Sequence, residues 1–75
     1  MITIRTEDNL MISTLDGNDE KAMRQAIIDE QIQTRSLTLK ADSKHTKGYV
    51  LTEDYVFTNA GTKLFLWKGT QILIK

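Results

Sequence analysis

Apolar positions recur every second residue near both ends of the chain and every third or fourth residue in one stretch between them. Period two marks a half-buried strand and period 3.6 an amphipathic helix. Ile2 and Ile4 alternate with Thr3 and Arg5, and Leu10 and Ile12 with Met11 and Ser13; TEDN between them offers turn chemistry, so an N-terminal hairpin is expected. DGNDEKAMRQAIIDEQIQ then predicts the one helix, with Asp16 or Asn18 as N-cap and Asp19 and Glu20 favourable at the positive end of its dipole. Ala22, Met23, Ala26 and Ile27 share a face, while Ile28 and Ile32 point elsewhere, so the helix ends either near Asp29 or near Gln33. RSLTLKA sets Leu37, Leu39 and Ala41 against Ser36, Thr38 and Lys40, the pattern of a strand with one wet face, and the polar loop ADSKHTKG follows.

From Gly48 to Lys75 the pattern is that of an antiparallel meander. Asn59 to Gly61 fits a three-residue hairpin loop and Lys68-Gly69 a two-residue turn. Closing Thr58 on Thr62 puts Tyr55 opposite Phe65, and closing Trp67 on Thr70 puts Phe65 opposite Ile72. One face then carries Tyr55, Phe57, Phe65, Trp67, Ile72 and Ile74, and the reverse carries Val56, Leu64, Leu66 and Leu73. The expected fold class is α+β: one helix packed on a mostly antiparallel, strongly curved sheet, built as N-terminal hairpin, helix and C-terminal β-meander. Met23 and Ile27 are expected against Leu64, Leu66 or Leu73.

A single helix covers one face of such a sheet, so the aromatic face needs another cover. Four aromatic side chains at roughly 150–250 Å² each exceed what a monomer normally leaves bare. Three covers are open: closure of the N-terminal strands into a half-barrel, a second copy of the chain, or a different partner.

Composition narrows the setting. The 75 residues form one small domain, residues 1–75, which buries only roughly 60 % of its unfolded surface. Without cysteine there is no disulfide framework and no thiolate metal site, and the N-terminal stretch never sustains an apolar run, so a cytoplasmic protein without signal peptide or membrane span is expected. Net charge is zero, but residues 1–33 hold seven acids against three bases and residues 34–75 the reverse. All five aromatics lie in the basic half.

Catalytic chemistry has little to stand on. No metalloprotease, phosphate-loop, dinucleotide or nucleophile-elbow motif occurs, and DGNDE departs from a calcium loop at Lys21 and Ile27. Glu53 and Asp54, adjacent on a strand, point to opposite faces. His45, between Lys44 and Lys47, reads as a solvated loop residue. No enzyme, cofactor or metal is therefore expected. The leading expectation is a small protein-binding or regulatory module, an inhibitor being one form of it, docking on another protein or on itself as a homodimer through Tyr55, Phe57, Phe65, Trp67 and Ile72 or through a sheet edge. The alternative is a single-stranded nucleic-acid binder that stacks bases on the aromatics while Arg35, Lys40, Lys44, Lys47, Lys63 and Lys68 meet phosphates.

Overall fold

The computed structural model describes residues 1–38 and 46–75. The chain runs β1 (Ile2–Arg5), β2 (Met11–Leu15), α1 (Gly17–Ile28), β3 (Thr34–Ser36), β4 (Lys47–Leu51), β5 (Tyr55–Asn59), β6 (Thr62–Leu66) and β7 (Gln71–Ile74). One helix and antiparallel strand pairs make an α+β fold, as the pattern anticipates. The strands divide into a five-stranded sheet, ordered β2-β1-β7-β4-β3, and a separate β5-β6 hairpin.

The meander is where sequence and structure part. β7 does not follow β6 into a hairpin but inserts between β1 and β4, with Ile2 facing Ile74, Ile4 facing Ile72, and Ile72 facing Tyr49. With a neighbour on each edge, β7 buries Ile72 and Ile74 on one face and Leu73 on the other, so its apolar run Ile72–Ile74 does not alternate. Ile2, Ile4, Leu51, Ile72 and Ile74 form one core cluster with Met23 and Ala26 of α1 and Phe57 and Leu66 of the hairpin, so helix and hairpin together cover that face. Thr3, Val50 and Leu73 are buried on the reverse face, outside this cluster. β2 and β3 remain edges, so the described strands do not close into a half-barrel.

Turn geometry explains the departure. Thr70 N–H donates to the Trp67 carbonyl at 3.0 Å, closing the expected turn, but only the second central residue, Gly69 (φ +92°), has positive φ. That is the type II pattern, whose twist splays the flanking strands instead of pairing them. At the other turn Asn59, not Thr58, faces Thr62, and both Ala60 (φ +43°) and Gly61 (φ +94°) are left-handed, the type I′ pattern of a two-residue hairpin. The register is thus one residue from the three-residue loop expected, pairing Phe57 with Leu64 and Val56 with Phe65. The single aromatic face does not exist: Tyr55, Phe57, Leu64 and Leu66 point inward, while Val56 and Phe65 point out.

The helix stops at Ile28. Asp29 caps it, Glu30 takes a left-handed conformation (φ +58°), and Glu30 N–H and Gln31 N–H donate to the carbonyls of Ile27 and Ala26, a Schellman closure with glutamate where glycine is usual. Ile32 is buried beyond the helix end, whereas Ile28 is exposed. Asp16 is the N-cap residue by backbone conformation and makes no side-chain capping bond. Met23 and Ala26 share the core cluster with Leu66 but also with Phe57, Ile72 and Ile74 of the expected aromatic face, and Leu73 faces the other way, so the helix does not pack on a purely aliphatic face. In β2, Ile12 is an extra residue between Met11 and Ser13, which face Arg5 and Ile4. The bulge breaks the expected alternation, and Leu10, Met11 and Ile12 are all exposed. β3 covers Thr34–Ser36 only, with Leu37 N–H donating to the Gly48 carbonyl at 2.9 Å. Leu39 and Ala41 lie outside the described residues.

Candidate functional site

The outer face of the β5-β6 hairpin holds the largest exposed aromatics of the described chain: Phe65 is 60 % and Trp67 66 % exposed. The ladder orders this face in rows. Thr58 pairs with Lys63 and Val56 with Phe65, and continuation of the same register sets Asp54 beside Trp67. Asp54, Val56, Phe65 and Trp67, with Tyr55 and Leu66, line one shallow depression of about 270 Å³. Lys63 Nζ stands 5.2 Å from the Phe65 ring centroid, within cation–π range.

Two carboxylates hold this face in place. Lys68 N–H donates to Asp54 Oδ1 at 2.6 Å, fixing the turn that carries Trp67. At the far end Asn59 Nδ2 and Thr62 Oγ1 donate to the two carboxylate oxygens of Asp19 at 2.8 and 2.9 Å, tying the hairpin tip to the first turn of α1. Sequence reasoning assigns Asp19 only a dipole role and Asp54 none. No local signal could reveal either, since their partners lie in distant elements or across a turn.

The other expected site residues are scattered. Phe57 is 2 % and Ile72 0 % exposed, so both belong to the chain's own core, and Tyr55 is half-buried against it. Among the described basic candidates, Lys63 alone stands on the hairpin face. Arg35 and Lys68 line a second depression that also contains Glu7. Lys47 lines a third with Arg24 and Tyr49. Lys40, Lys44 and His45 lie outside the described residues. The four described bases therefore do not form one phosphate-tracking stripe.

Glu20, in the first turn of α1, has its carboxyl pKa lowered by its hydrogen bond to the Met1 amine, then by Arg24, whose Nε lies 3.0 Å away. Among the described residues no three histidine, aspartate or glutamate side chains converge as a metal ion would require. No helix there is long and apolar enough to cross a membrane. No protein-family model, curated protein or solved structure matches the chain.

Proposed function

We propose that the chain is a small, non-catalytic protein-binding module of regulatory character, docking on a protein surface through Val56, Phe65 and Trp67. The observation that carries this reading is the exposure of the two aromatics on a hairpin whose inner face already completes the core. At 150–250 Å² per ring, the exposed fractions leave roughly 200–300 Å² of aromatic surface in water before Val56 is added. With Val56 the patch approaches the roughly 300–600 Å² that the largest, often functional, apolar patch of a monomer covers, and tryptophan is a typical interface anchor. A small inhibitor acting by occupying a partner's surface would use such a face.

The nucleic-acid reading draws on Lys63 over Phe65, a stacking ring with a cation beside it. Asp54 in the Trp67 row weighs against it, because a carboxylate there repels a phosphate backbone. The test immobilises the protein and its Trp67→Lys variant and compares what each retains from cells that produce it, then repeats the binding with purified components. A protein bound by the parent and lost by the variant is the expected result; equal retention by both contradicts the reading. Because Trp67 is the only tryptophan, its fluorescence also reports a titration with a single-stranded oligonucleotide. Saturable quenching with steep salt dependence would put nucleic acid first.

A further inference from the structure

The rows of the hairpin's outer face are oppositely charged at their two ends: Asp54 stands in the Trp67 row and Lys63 in the Thr58 row, with Val56 and Phe65 between. From this antisymmetry, and resting on the protein-binding reading above, we infer that the first occupant of the face is a second copy of the chain, stacked hairpin on hairpin about a two-fold axis. A two-fold axis between the faces, crossing the strands at the Val56–Phe65 pair, returns β5 over β5 and β6 over β6 with strand direction reversed. Phe65 then meets its equivalent. Each Lys63 is brought over the other copy's Trp67, diagonally next to its Asp54.

Row spacing of two residues, about 7 Å, and face-to-face sheet separation of about 10 Å are within reach of a lysine side chain. The parallel alternative faces each Asp54 with a tryptophan and each Lys63 with a threonine, and so leaves both charges without a counter-charge. Lys68 does not disturb the pattern, since it lines the separate depression with Glu7 and Arg35. Isologous contacts of this kind need a surface complementary to itself, which an acid–aromatic–base sequence supplies. The apolar area falls short of the ~800 Å² per partner of a standard interface, so the dimer is weak.

Sedimentation velocity between about 10 µM and 1 mM, with tryptophan emission recorded over the same range, tests this. The expected result is a monomer–dimer equilibrium whose dimer limb shifts Trp67 emission to the blue and weakens with salt. Lys63→Glu should weaken association at least about ten-fold by setting acid against Asp54. Adding Asp54→Asn to that variant, which removes the charge but keeps an acceptor for Lys68 N–H, should recover part of the loss. A protein still monomeric at about 1 mM, or a dimer indifferent to Lys63→Glu and to Trp67→Lys, overturns the second-copy assignment. Either result leaves the protein-binding reading to the retention experiment, which a heterologous partner can still satisfy. Circular dichroism of each variant separates lost association from lost folding.

Discussion

Asp19 shows how one side chain can position a surface it never touches. Its carboxylate accepts from Asn59 and Thr62, 40 and 43 residues away along the chain, and without it two part-buried donors lose their partner. Asp19→Ala should therefore cost about 1–3 kcal/mol in urea unfolding, more than an exposed acid at a helix start contributes through the dipole alone. A change under about 0.5 kcal/mol would mean that solvent replaces both bonds. Glu20 makes a pH-dependent contribution. Its folded pKa lies below the unfolded value, so its stabilisation is present above the ordinary carboxylate range and is lost as pH falls through the lowered pKa. Glu20→Gln should flatten that part of the stability–pH curve, and an unchanged acid limb would contradict the pairing with Met1 and Arg24. At this scale the sequence placed both acids in the helix's first turn but could not foresee their partners, because neither the hairpin tip nor the chain's first residue is near them in sequence.

Elements were legible where period and turn chemistry agreed. The N-terminal hairpin, the helix and the turns at Ala60-Gly61 and Lys68-Gly69 lie where the pattern puts them. Turn type was not legible. A type I′ turn usually begins with Asn, Asp or Gly, so alanine at position 60 carries no signal for one, and the register differs by one residue from that of a three-residue loop. Ala60→Asn should accordingly stabilise the chain by about 0.5–1 kcal/mol, measured by thermal or urea unfolding, because asparagine tolerates the left-handed backbone that alanine resists. A loss of stability would argue that the hairpin closes through the three-residue loop instead. Gly69 is bound to its turn more tightly. Its φ of +92° disfavours any side chain, and a Cβ there would come within 3.0 Å of Glu7 Oε2 and 3.2 Å of its Cδ.

The whole molecule resolves the two-sided apolarity of the C-terminal stretch in two different ways. Ile72 and Leu73 are buried on opposite faces of β7, a central strand whose neighbours, β1 and β4, lie more than forty residues apart in the chain. No local pattern distinguishes such a strand from the last arm of a meander. Leu64 and Phe65 are apolar on both faces for another reason: the hairpin completes the core with one side and offers the other to solvent. The unfolding free energy of dilute Trp67→Lys in urea, followed by far-ultraviolet circular dichroism, tests this division of the hairpin into a core side and a solvent side. A value within about 0.5 kcal/mol of the parent is predicted for a side chain outside the core. A loss of about 3 kcal/mol or more, the scale of removing a buried tryptophan, would place Trp67 in the chain's own interior and contradict the site.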